Sequence, residues 1–115
     1  MEAEISEAII HFEKEYMGRG PLETRTYIID DMVLVRLKNV LTRAEHQLAN
    51  PGDSAEGRAL IKKVRTTLLE KGRPLLEAVV DSITGQKVVS LHTDISTVTG
   101  ERIILLTLDG RVVFN

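Results

Sequence analysis

Residues 24–37 constrain the fold more than any other stretch of this chain, because two β-prone runs flank Asp30-Asp31 and both carry consecutive apolar residues, so that both faces of the pair are apolar at their centres. A two-residue turn there pairs Ile29 with Met32. Counting outward, Ile28, Val33, Val35 and Leu37 share one face, while Tyr27, Ile29, Met32 and Leu34 share the other. Helices on one side of a sheet bury only one of these faces. The second must meet another layer, a partner chain or a ligand.

Upstream, Ile5, Ile9, Phe12 and Tyr16 recur at steps of four and three, with Glu4, Glu7, Glu13 and Lys14 elsewhere on the wheel, which predicts an amphipathic helix ending near Met17. Gly18 suits the left-handed residue that closes it, and Pro21 cannot continue it. Downstream, Thr42-Arg43-Ala44-Glu45 has capping-box spacing and predicts a short helix to about Ala49, ended by Asn50-Pro51-Gly52. A second box, Asp53-Ser54-Ala55-Glu56, opens a longer segment carrying Leu60, Ile61, Val64, Leu68 and Leu69. Pro74 removes a donor and biases Arg73 away from helical geometry, so a kink or brief break is expected before residues 75–83 continue and Gly85 caps them.

The last third predicts a hairpin. Val89, Leu91 and Ile95 alternate with Ser90, His92 and Asp94, then residues 96–100 turn polar and residues 102–108 return as a nearly continuous apolar strand. Asp109-Gly110 can turn the chain again so that residues 112–114 add a short edge strand, or the terminal residues can fray. A helix closed by glycine and followed by a hairpin thus occurs twice. The expected architecture is one α+β domain over residues 1–115, built from two αββ-like units in the order α-β-β-α-α-β-β, with a four-stranded mainly antiparallel sheet and packed helices.

Composition excludes several function classes. With 43% hydrophobic and 28% charged residues the chain is that of a folded domain, and the absence of cysteine removes disulfides, thiolate nucleophiles and cysteine-ligated metals. No run approaches the roughly 18 apolar residues of a membrane span, and Met1-Glu2-Ala3-Glu4 is acidic where a signal peptide is basic. A cytoplasmic location is the expectation. A net charge of −2 gives no general pull toward nucleic acid, and 3% aromatics are too few for base-stacking platforms.

Candidate sites are few. Gly18, Arg19 and Gly20 could present amides and a guanidinium to a small anion or nucleotide, but phosphate loops precede a helix N-terminus whereas this loop follows a C-terminus. Ser90, His92 and Asp94 form a polar strand face. Side chains two residues apart on a strand project in parallel about 6.6 Å from one another, which does not make a nucleophile-to-base contact. His11, His46 and His92 fall on separate elements, so neither a metal site nor a cofactor is expected. Arg58, Lys62, Lys63, Arg65, Lys71 and Arg73 bias the third helix toward positive charge, most simply as a solvated face. No catalytic set emerges. Tyr27, Ile29, Met32 and Leu34, or the opposite set, are the candidate interface of a homodimer.

Three stretches carry a resemblance. Phe12-Glu13-Lys14-Glu15-Tyr16-Met17-Gly18-Arg19-Gly20-Pro21, then Asp31-Met32-Val33-Leu34-Val35-Arg36-Leu37 with Leu41-Thr42-Arg43-Ala44-Glu45, and finally residues 85–95 with Gly100-Glu101-Arg102, resemble the MpsC-like family. The family's name links it to a sodium-translocating, membrane-potential-generating system. The resemblance implies a soluble accessory or regulatory subunit, peripheral to the membrane through larger transport partners related to inorganic-carbon uptake machinery. It brings no catalytic residues with it.

Overall fold

The computed structural model describes residues 1–18, 20–49 and 55–113. Its elements follow the expected order: α1 (Glu2–Met17), β1 (Glu23–Ile29), β2 (Met32–Lys38), α2 (Arg43–Ala49), α3 (Ala55–Thr84), β3 (Val88–Ile95) and β4 (Arg102–Leu108). The four strands form one antiparallel sheet in the order β1-β2-β4-β3. Each αββ unit therefore contributes a hairpin. The two hairpins join through their second strands, with Val35 opposite Ile104 across the central seam.

Both long helices lie on the same side of the sheet. Their buried stripes, Ile5, Ile9 and Phe12 from α1 and Ile61, Leu69, Leu76 and Val80 from α3, meet Val33, Val35, Leu37, Ile104 and Leu106 in one core. Burying each such side chain contributes roughly 1.5–3 kcal/mol before conformational entropy is deducted. Both helices close in the same way. Gly18 and Gly85 adopt φ of 84° and 74°, a left-handed geometry that L side chains enter only with strain. The first hairpin has the expected register, Ile29 opposite Met32, with Asp30 taking up the positive φ of the turn. Edge strand β1 is partly capped from the side, since the Ile28 N–H donates to Glu2 Oε2 at 2.9 Å.

Three expectations need correction. Of the kink or brief break expected at Pro74, the break does not occur: α3 runs 30 residues without interruption, roughly 45 Å of the molecule's 50 Å long axis. Pro74 lies on the exposed side of the helix, while the buried stripe on the other side (Leu69, Gly72, Leu76) runs past it. Arg73 remains helical and bridges Glu70 and Glu77 across the same turn. Next, Val89 does not share the core face with Leu91 and Ile95. A bulge between Val88 and Ser90 inserts one residue into β3, which turns Val89 outward and leaves Val88 against the core. Finally, of the edge strand expected over residues 112–114, Val112 and Val113 form no strand and Phe114 lies outside the described residues. Val112 is buried and its N–H donates to Asp30 O at 3.3 Å, anchoring the tail under the first turn. The helix stop at Asn50-Pro51-Gly52 and the box residues Asp53 and Ser54 lie outside the described residues.

Candidate functional site

Four charged side chains are gathered in the interior where α1, α2, α3 and the sheet converge. Glu13 is fully buried, and Arg65 and Arg102 are each 2% exposed. Arg65 organises them: its Nε and Nη2 donate to Glu45 Oε2 and Oε1 at 2.8 and 2.6 Å in a two-pronged clamp, and Nη1 reaches Glu13 Oε2 at 3.3 Å. Nη2 also donates to Val40 O at 2.7 Å, tying down the segment between β2 and α2. From the sheet, Arg102 Nη1 approaches Glu13 Oε1 at 3.5 Å and its Nε donates to Thr93 Oγ1 at 3.3 Å. Two guanidinium groups thus balance two carboxylates. The capping box completes the set, because the Thr42 N–H donates to Glu45 Oε1 at 2.9 Å while the Glu45 N–H donates to Thr42 Oγ1 at 3.2 Å.

Burial sets the two carboxylates apart. Desolvation pushes the Glu13 pKa up, against the pull of Arg102 and Arg65. Desolvation also opposes ionisation of Glu45, but the hydrogen bonds from Arg65 and Thr42 outweigh it and leave that pKa lowered. Arg102 is itself pushed down by burial. The pH consequences have opposite signs. Glu45 stabilises the fold above its unfolded pKa of about 4.3, and this contribution is lost as pH falls through its lower folded value. Glu13 contributes below that same unfolded value and loses its contribution as pH rises through its raised folded one. Glu45→Gln should therefore lower stability at pH 7 and flatten the acid limb, so that urea midpoints at pH 7 and pH 3 differ less than in the unmodified protein. An equally steep acid limb in the variant would remove Glu45 from that role.

The sequence pattern alone does not reveal this cluster. Arg65 reads as part of a solvated basic face and Glu13 as part of the polar side of α1, yet both sit inside apolar stripes: Arg65 lies four residues from Ile61 and from Leu69, and Glu13 four from Ile9. That spacing was the available signal.

The sequence-derived candidates are scattered. Gly18 is the helix cap described above, Gly20 packs against the stem of Lys14, and Arg19 lies outside the described residues. On β3, the Ser90 and Thr107 hydroxyls are hydrogen-bonded to one another, His92 is exposed opposite Leu105, and Asp94 reaches Lys62 Nζ on α3 at 3.2 Å. The Ile95 N–H and Lys62 hold the Asp94 carboxyl below the usual range. These three side chains share a parity but engage different partners. His11 meets Glu15 at 3.6 Å on α1, and among the described residues no three His, Asp or Glu side chains converge as a metal-binding group. The basic bias of α3 is also reduced, since Lys62, Arg65 and Arg73 are all engaged by carboxylates.

What the fold leaves uncovered is the sheet face away from the helices. Strand pairing sets out its rows: Ile29, Met32, Thr107 and Ser90, then Tyr27, Leu34, Leu105 and His92, then Arg25, Arg36, Ile103 and Asp94. Tyr27 is 43% and Ile29 49% exposed, with Met32, Leu34 and Leu105 partly so. The apolar rows give way at one end to charge. There Glu23 meets Arg25 at 3.2 Å and Lys38 at 3.6 Å, and Arg36 meets Glu101 at 2.8 Å. The set Ile28, Val33, Val35 and Leu37 faces the core instead, which decides between the two faces of the first hairpin.

These features define a small α+β protein with helices on one side of an antiparallel sheet and a half-apolar open face on the other; among the described residues no helix is long and apolar enough to cross a membrane. The chain belongs to the MpsC family: the family model described as the Na+-translocating membrane potential-generating system (MpsC) matches residues 1–110. It is similar to the uncharacterized protein YbcI of Bacillus subtilis (strain 168), 44% identical over 94 residues that span 82% of this chain and 73% of that one. No solved structure matches it significantly.

Proposed function

We propose that this chain is a non-enzymatic accessory subunit of a sodium-translocating, membrane-potential-generating system, acting from the cytoplasmic side through protein contacts as a two-fold dimer. The observation that carries this reading is the open sheet face. Tyr27, Ile29, Met32, Leu34 and Leu105 together make a contiguous apolar patch that the described helices leave uncovered, a surface suited to association. A two-fold contact covers it economically, because the same patch then covers itself. The membrane system enters through the family description, and the chain would reach the membrane through partners.

Leu34→Glu tests the dimer directly. Its side chain lies on the open face and not in the core, so the variant should keep the circular dichroism spectrum and melting temperature of a folded protein while light scattering shows half the mass. An unmodified protein that is monomeric at high micromolar concentration ends the dimer reading. The membrane role is tested by affinity purification of a tagged copy from the native membrane fraction. Recovery of cation-translocating membrane subunits is expected; self-association alone, with normal sodium transport in a deletion strain, removes the transport part.

A further inference from the structure

On the helical side, α1 and α3 leave a groove of about 530 Å³ between them. Its floor is apolar, formed by Ala8 and Phe12 of α1 with Leu75, Val79 and Ile83 of α3, and Leu75 is 49% exposed. Its rim is mainly carboxylate, with His11 beside Glu15. Glu4, Glu7 and Glu15 line it, and no lysine or arginine does. Glu15 is shared with His11 at 3.6 Å and Glu4 with the terminal amine at 3.5 Å, while Glu7 has no ion-pair partner among the described residues.

We infer that this groove docks a basic amphipathic helix of about three turns, its apolar ridge on the Phe12–Leu75–Val79 floor and its lysines or arginines against the carboxylate rim. The inference goes beyond the sheet-face reading and does not rest on it. Length and charge select the occupant. The rim from Glu4 to Glu15 runs roughly 16 Å along α1, the span of three helical turns, and an apolar valley between two helices is the shape that accepts a third. Three carboxylates repel an acidic helix, an anionic lipid surface and a nucleic-acid backbone, and attract cationic side chains most strongly where the apolar floor excludes water.

The alternative occupant is a second copy of the chain, since the N-terminal half of α3 shows exposed Leu60 and Val64 beside Lys63. The test separates the two. A fluorescein-labelled 15-residue peptide with leucine at helical spacing and lysine elsewhere is titrated with the full chain and followed by anisotropy. A leucine/glutamate peptide of the same pattern and a leucine/lysine peptide with shuffled leucines serve as controls. The patterned lysine peptide should bind at least tenfold more tightly than either control, and Glu7→Lys and Leu75→Asp should each weaken it about tenfold. Glu7 and Leu75 are exposed, so both variants should fold, as circular dichroism will verify. Equal binding of all three peptides, or full binding by both variants, overturns the inference. So does a loss of self-association in Leu75→Asp, which would assign the groove to a second copy. Failure of the sheet-face dimer would instead appear only in the mass of Leu34→Glu and of the unmodified protein.

Discussion

Arg65→Met should cost about 3–5 kcal/mol of folding stability, because it strips a buried cation from two carboxylates that cannot both stay charged without it. In the intact protein the guanidinium makes four hydrogen bonds, to Glu45 twice, to Glu13 and to Val40 O. Methionine fills much of the volume and makes none of them. Glu45 has some access to water and can be solvated, whereas Glu13 has none and keeps only the longer contact to Arg102. The double variant Arg65→Met/Glu45→Gln restores charge balance, leaving Glu13 and Arg102 as an isolated pair. Its cost should therefore fall short of the sum of the two single costs, a coupling of about 1–3 kcal/mol read from urea denaturation. A single Arg65→Met that loses less than about 1 kcal/mol would show that this ion cluster positions the elements without stabilising them.

Substitution of Gly72 should be nearly as damaging, and for a purely steric reason. It lies in mid-helix, where replacing glycine by alanine ordinarily gains about 1 kcal/mol. Here a Cβ would stand 2.4 Å from Phe12 Cε2 and 2.7 Å from Cζ, so the ring must move. Phe12 is held by its stack on Tyr16, with centroids 4.8 Å apart, and by the core beneath. Gly72→Ala should be destabilising despite its better helix propensity. Gly72→Val should lose about 3 kcal/mol, the upper end of ordinary overpacking. Adding Phe12→Leu should recover part of the loss in Gly72→Ala, although the same change weakens the unmodified protein. Thermal melts of the five proteins give the answer; a Gly72→Ala variant more stable than the parent would mean that α1 shifts freely along α3.

Much of the fold could be read from short-range chemistry. The Thr42/Glu45 box, the glycine closures at 18 and 85, and the Ile29/Met32 turn all depend on residues within four positions of one another. The two-sided apolar hairpin was legible for the same reason, though only the helices' placement decided which face was covered. Pro74 misled because a proline's local cost is outweighed when residues on both sides belong to one buried stripe. The Val89 bulge leaves no trace in an alternating pattern, since one inserted residue shifts the parity without changing composition. The ion cluster was illegible in a different way. Glu13, Glu45, Arg65 and Arg102 come from four elements, and only tertiary structure says which charges among many meet inside.

The order β1-β2-β4-β3 also dictates when the sheet can be finished. Each hairpin closes locally, within microseconds in isolated peptides, but the seam between β2 and β4 joins residues about 70 positions apart, such as Val35 and Ile104. Loop closure over that distance is the slow, entropically expensive step. During synthesis the first αββ unit emerges whole, with one edge of β2 still unpaired and Met32, Val33, Leu34 and Val35 along it. Until residues 102–108 leave the ribosome, that edge is open to any other strand. Its proper partner is β4, far along the chain from β2, so this apolar edge stays exposed to mispairing until residues 102–108 have been made.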